Sequence, residues 1–245
     1  MEIRDANAAL PLSVVIPAWN EEREIRRCLD GLSRQTAGGF EVIVVDNGST
    51  DRTASIAAAW GAQVLTEPRR GIAYARQTGF DEARCPIVAS TDADAIVPPD
   101  WIARIRREFA ARPDVVGIFG PFHYQSKSAP KKLADWSIPL CYAATVSFQW
   151  ITWRLGRPHF PGANFAIRRE AFSAVSGFRS PLDSTSYYSY WEDVQLGLKL
   201  RRIGEIRYLR DLVVQASARK LGSVRRNVLY PARQAAALHL LGREL

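Results

Sequence analysis

The sequence predicts an α/β fold built on a largely parallel sheet. Three observations carry that prediction. Short apolar runs alternate with longer helix-like segments through the first half of the chain. The runs are rich in β-branched residues and too short for buried helices. Each gives way to Gly, Pro, Asn or Asp before a helical pattern begins, as strands joined by crossover helices require. At 245 residues, 47% hydrophobic and 24% charged, the chain can bury its own core without disulfides. Cys28, Cys85 and Cys141 stand singly, so they read as reduced packing residues in a disulfide-poor compartment.

Residues 12–16, Leu-Ser-Val-Val-Ile, read as a buried strand bounded by Pro17. A helix is expected over 21–34, with Asn20 as N-cap and Glu21 and Glu22 in its first turn. Residues 41–45 form a second strand, and the helix after the 46–50 turn ends at Trp60 with Gly61 as its stop. A short strand over 63–65, a helix over 72–83 and a strand over 86–90 follow. Pro98 or Pro99 opens a helix running to about residue 112, and 115–119 is the next strand. The second half is less regular. It suggests a strand at 163–167, helices at 169–175, 192–202 and 223–241, and strand-like runs at 206–209 and 212–214. No internal repeat or low-complexity linker breaks the chain, so one domain with two lobes is expected.

In open parallel sheets, ligands bind beyond the carboxyl ends of the strands. Three such ends carry polar residues: Pro17-Ala18-Trp19-Asn20-Glu21, Asp46-Asn47 and Thr91-Asp92-Ala93-Asp94. Alternate carboxylates on an extended segment, Asp92 and Asp94, suit a hard divalent cation that shares its shell with phosphates. The same pair also suits a turn and helix cap before Pro98. Asp46 and Asn47 have the groups to read a base or ribose, and equally the chemistry of an Asn-Gly-Ser turn. Arg70 and Arg76 suit a diphosphate, or a solvated helix face. Glu192-Asp193, after the aromatic run 187–191, reads as a general base beside aromatic walls, or as favourable charge at a helix start. No Gly-rich phosphate loop is present, which counts against dinucleotide oxidoreductases and P-loop enzymes. His123, His159 and His239 lie far apart in sequence, which argues against zinc.

In order and approximate spacing these segments resemble glycosyltransferase family 2, with the GT-A fold. The resemblance runs from about Leu12 to Gly204. It rests on residues 13–21, on Val44-Val45-Asp46-Asn47-Gly48-Ser49-Thr50-Asp51, and on 71–79 with Arg76. Asp92-Ala93-Asp94, residues 162–168 and Trp191-Glu192-Asp193 complete it. Each motif is weak alone, and the ordered set is specific. The resemblance implies an inverting transferase that uses a nucleoside-diphosphate sugar and Mn²⁺ or Mg²⁺. It implies that Pro17, Ala18, Asn20 and Glu21 line the nucleotide pocket, and that Asp46 and Asn47 face base and ribose. Arg76 would approach the nucleotide or its phosphates. Asp92, Ala93 and Asp94 would form the metal-binding motif, with Asp94 the direct ligand. Asp193, beside Glu192, would be the base, and Gly162 and Asn164 would shape the acceptor side near the donor sugar. Within a single domain over 1–245, residues 12–120 would then be the nucleotide-sugar lobe and 121–215 the acceptor and catalytic lobe. Residues 216–245 would form a basic helical segment. The Gln-x-x-Arg-Trp motif of processive synthases is missing after Asp193, which favours single transfer.

Residues 136–153 contain no charged side chain. A single membrane crossing there would put Asp94 and Asp193 on opposite sides, so they would share no substrate. The stretch is therefore read as a buried helix or loop, or as an interfacial segment presenting Trp136, Tyr142, Trp150 and Trp153. The formal net charge of +8 is matched by the excess of Lys and Arg from Lys199 onward. Met1 to Leu10 lacks a signal-like apolar run. The expectation is a cytoplasmic protein, peripheral to an anionic inner membrane face, with a lipid-linked or cell-envelope acceptor. Two rivals stay open. A nucleotidyltransferase predicts pyrophosphate release from a nucleoside triphosphate. A basic nucleic-acid-binding module predicts salt-dependent oligonucleotide binding.

Overall fold

The computed structural model describes residues 10–125, 131–179 and 192–217, and over 131–141 the backbone alone. Strand β1 (Leu12–Ala18) lies in the interior of a seven-stranded sheet and is buried throughout, which is why its sequence is apolar on both faces. It pairs in parallel with β2 (Phe40–Asp46) on one side and β4 (Ile87–Ser90) on the other. Beyond β2 lies β3 (Gln63–Thr66), also parallel. Helices α1 (Ile25–Ser33), α2 (Thr53–Trp60) and α3 (Ile72–Glu82) make the crossovers. The α/β expectation holds for this half, strand by strand.

The other half departs from it. Strand β8 (Phe165–Arg168) runs antiparallel between β4 and β6 (Val115–Phe119), and β9 (Glu205–Tyr208) closes the edge parallel to β6. A second sheet, β5 (Ala95–Ile96), β10 (Val214–Ser217) and β7 (Phe122–Gln125), lies in the order β5-β10-β7. Helices α4 (Trp101–Ala111), α5 (Lys131–Arg154), α6 (Arg169–Ala174) and α7 (Glu192–Arg201) complete the chain order. The apolar stretch 136–153 is part of α5, and no helix among the described residues is long and apolar enough to cross a membrane. The helix expected at 223–241 lies outside the described residues.

Alternation along β1 divides the core. Leu12, Val14 and Ile16 pack with α1 and α4 on one face. Val15 joins Ile43, Val45 and Phe80 on the other. One predicted cap is corrected. Helix α1 begins at Ile25 with Glu24 at its N-cap, and Asn20 adopts a left-handed conformation with φ 52°. The reason is competition. The Asn20 side chain accepts from Thr50 N at 2.8 Å, and its own N–H donates to Ser49 Oγ at 2.9 Å. The loops after β1 and β2 are thereby tied together, and the helix starts only after an intervening turn. Similarly, Pro98 and Pro99 precede α4 rather than open it, with Trp101 N donating to Pro98 O.

Candidate functional site

The parallel register places Ala18 opposite Asp46 and Val15 opposite Ser90, so three strand ends converge on one edge. A cavity of about 340 Å³ opens there. Among the residues singled out in the sequence, Pro17, Ala18, Glu21, Asn47, Arg70, Asp92 and Ala93 line it. The walls also include Trp19, Gly71, Ile72 and Ala75, from the β1 end and the start of α3. Trp19 is half-exposed, and the Arg70 guanidinium stacks over its ring at 4.3 Å. Arg70 is fixed there by donating to Asn47 O at 3.0 Å. A flat aromatic beside a cation is a fit for a base and its phosphates.

Asn47 does not present a free amide to this cavity. Its Nδ2 donates to Glu67 O at 2.9 Å and to Arg69 O at 2.7 Å, and its Oδ1 accepts from Gly71 N at 2.9 Å. The side chain therefore holds loop 67–71 in place at the cavity wall. Asp46 accepts from Ser49 N within the turn after β2 and is buried beside the cavity. Glu67 braces the same loop. Its carboxylate accepts from Arg69 Nε and Nη2 at 2.9 Å each and from the Thr78 hydroxyl at 2.6 Å. The Arg69 guanidinium and the Thr78 hydroxyl, against the opposing effect of burial, bring its pKa down from the ordinary 4.5 to about 2.

Asp92-Ala93-Asp94 forms a turn, not an extended segment, closed by Ala95 N donating to Asp92 O at 3.0 Å. Both carboxylates are partly exposed, and β10 anchors the turn where Ser217 N donates to Asp94 O at 3.0 Å. Beneath it, the buried Cys28 thiol lies 3.5 Å from Asp92 O. Burial, then the charges of Asp92 and Asp94, raise that thiol's pKa, so it is an inert packing group. Among the described residues no three His, Cys, Asp or Glu side chains gather around a metal position. Two carboxylates on one turn do suit a hard cation whose remaining ligands come from a diphosphate.

Arg76 is placed differently from the sequence expectation. It lies on neither a solvated face nor the cavity wall; its side chain is only 3% exposed. Nη2 donates to Asp92 Oδ1 at 3.0 Å and Nη1 to Glu192 Oε1 at 3.3 Å. Burial alone would lower its pKa, but the carboxylates of Asp92, Asp193 and Glu192 outweigh that and raise it. A Cβ at Gly162 would sit 1.8 Å from Arg76 Nη2, so Gly162 is the floor against which the guanidinium lies. Asn164 is likewise fully buried and away from the cavity. It accepts from Trp101 Nε1 at 2.9 Å and donates to Pro121 O and Leu212 O at 2.9 and 2.6 Å. It ties the start of β8 to the loops before β7 and β10.

Glu192 and Asp193 open α7. Glu192 is buried, and burial followed by the Asp193 charge raises its pKa well above the ordinary range, with Arg76 opposing. Asp193 is more exposed and lies 3.9 Å from His159 Nε2. His159 was missed in the sequence because its position beside Asp193 depends on the return of the chain after α5. Burial lowers its pKa, with Asp193 opposing. Gly197, one turn along α7, packs on Pro158 O, where a Cβ would approach to 2.1 Å, so the histidine segment and α7 are locked together. The aromatic run 187–191 lies outside the described residues.

The sequence model of glycosyl transferase family 2 matches residues 13–176. An uncharacterised glycosyltransferase of Mycobacterium tuberculosis is 38% identical over 105 residues, covering 43% of this chain and 46% of that one. An undecaprenyl-phosphate 4-deoxy-4-formamido-L-arabinose transferase of Pseudomonas paraeruginosa is 34% identical over 116 residues, 43% of this chain and 34% of that one. The chain thus spans half or less of the length of these relatives in the matched regions. A mannosyltransferase from Pyrobaculum calidifontis, solved with GDP-Man and Mn²⁺, superposes with a TM-score of 0.66 at 23% identity, over 95% of this chain and 66% of that one. That likeness gives the fold, which is GT-A.

Proposed function

The chain belongs to glycosyl transferase family 2, and from that premise we propose that it moves a sugar from a nucleoside-diphosphate sugar to an acceptor hydroxyl with inversion. The observation that carries this reading is the placement of Arg76. One guanidinium holds Asp92, at the cavity, and Glu192, next in the chain to Asp193. A donor-holding turn and a candidate base are thereby set on either side of one fixed charge.

In this reading Trp19 stacks on the base, and Arg70 faces the phosphates from the cavity mouth. Pro17, Ala18 and Glu21 shape the cavity floor, and Asp46 and Asn47 fix the loops around it. Asp94 and Asp92 would hold Mn²⁺ or Mg²⁺, which would supply charge neutralisation at the leaving group. Asp193 accepts the proton of the acceptor hydroxyl. The acceptor oxygen bonds to the anomeric carbon as its bond to the diphosphate oxygen breaks. One displacement inverts that carbon, and the nucleoside diphosphate leaves. Residues 12–120 act as the donor lobe and 121–215 as the acceptor lobe. The acceptor is carried on a membrane lipid. The Pseudomonas relative, an undecaprenyl-phosphate sugar transferase, supports that choice, as does the basic excess toward the end of the chain.

A thermal-shift panel of nucleoside diphosphates with and without Mn²⁺ or Mg²⁺ tests the proposal. A ligand at a hundred times its Kd is expected to add about 2.7 kcal/mol. The metal-dependent part should vanish in Asp94→Ala. If no nucleotide stabilises the protein, with metal or without, the reading fails.

A further inference from the structure

The outer face of α5 is not used by the site. Ala143, Ala144, Ser147, Trp150, Ile151 and Arg154 are all exposed. Their spacing of three and four residues sets them along one side of the helix. Trp150 and Ile151 are each 48% exposed, and Leu155, just past the helix, is 71% exposed. The opposite side is held by the fold. Gln149 and Thr152 are buried, and Trp153 Nε1 donates to Ile206 O at 2.7 Å. The orientation of the helix is therefore fixed, and the stripe faces outward.

The chemistry of the stripe selects its partner. Residues 136–167 contain no Asp or Glu, while Arg154 stands at the end of the stripe. Arg154 lies 5.7 Å from the Trp150 ring centroid, a pairing of flat aromatic and cation suited to the headgroup layer. A second copy meeting this face would set Arg154 and apolar groups against themselves, with no Asp or Glu in the stripe to match. An anionic bilayer suits both the apolar groups and Arg154. We infer that this face of α5 seats the protein on an anionic lipid bilayer, lying on it and not crossing it. The surface is close to the chemistry. Phe148 of α5 meets the His159 ring at 5.9 Å, and His159 lies 3.9 Å from Asp193. For its functional consequence, delivery of a lipid-borne acceptor to Asp193, the inference rests on the function proposed above; for binding itself it does not.

Co-sedimentation of the full chain with vesicles of phosphatidylcholine, alone or mixed with phosphatidylglycerol, tests it. Wild type is expected to sediment with the anionic vesicles, and about tenfold less with neutral ones or at high salt. Ile151→Glu with Leu155→Glu places two negative charges in the stripe at exposed positions, so the fold is expected to persist, as a thermal melt will verify. Binding by this variant should fall about tenfold or more. Ile203→Glu, at a 47% exposed isoleucine outside the stripe, should bind as wild type does. Absence of wild-type binding, or equal binding by the double variant, overturns the inference. So does a dimer, seen by light scattering, that the double variant abolishes. Nucleotide binding is measured without lipid. A protein that binds vesicles through this face but binds no nucleotide upholds the inference while overturning the proposed function.

Discussion

Glu192 and Asp193 are adjacent carboxylates with different surroundings. Glu192 Oε1 receives Arg76, and the residue is sealed from solvent. Asp193 retains exposure and faces His159. A base must reach both its substrate and a route for the proton, so the roles divide. Asp193→Asn is expected to lower transfer by about 10²–10⁴-fold while nucleotide binding, read by thermal shift, stays unchanged. Glu67 carries the pH prediction. Its folded pKa, about 2, lies below its ordinary 4.5. Such a group stabilises the fold above its unfolded pKa, and that contribution disappears as pH falls through the folded one. Glu67→Gln is therefore expected to melt lower than wild type at neutral pH. The gap should close as pH falls from 4.5 toward about 2, as melts across that range will show.

Helix α3 positions the centre of the site, and its seat on the sheet depends on Gly79. A Cβ there would lie 2.3 Å from Val15 Cγ1 and 3.0 Å from Val45 Cγ2, both on buried central strands. Neither valine has room to move in a packed core. Gly79→Ala is expected to destabilise the protein by about 1–3 kcal/mol, measurable by urea unfolding. It should also weaken transfer, because Arg76 sits one turn earlier on the same helix. At this scale the sequence was most legible where local patterns decide structure. The runs at 12–16, 41–45 and 115–119 became β1, β2 and β6 because apolar β-branched segments have few alternatives. Strands β5 and β7 escaped notice because two- and four-residue strands exist only through their pairing with β10. The Asn20 cap failed for a related reason: a distant loop claimed its side chain. Asp92 and the strand ends were legible as polar residues after buried strands. The inward turn of Arg76 and the approach of His159 to Asp193 were not, since both depend on chain segments far away in sequence.

Across the whole molecule, Arg76 joins parts of the chain that share no local structure. Asp92 follows β4, Glu192 opens α7, and Gly162 precedes β8, yet all three meet at one buried guanidinium. Removing one partner of a buried ion pair costs about 3–5 kcal/mol, because the remaining charge loses its compensation. Here the charge is shared, so the loss of either carboxylate changes what the other experiences. Stabilities of Asp92→Asn, Glu192→Gln and the double variant are therefore expected to be non-additive by about 0.5–3 kcal/mol. Each carboxylate bonds to its own nitrogen of the guanidinium, and the Asp92 charge also acts directly on Glu192. The coupling should shrink once Arg76 is replaced by Lys, whose single ammonium does not span both sites, leaving the direct repulsion of the two carboxylates. Unfolding of the seven variants beside wild type by urea completes the two cycles. Additivity with Arg76 present would mean that the donor turn and α7 are held independently, and the bridge would then have no part in aligning them.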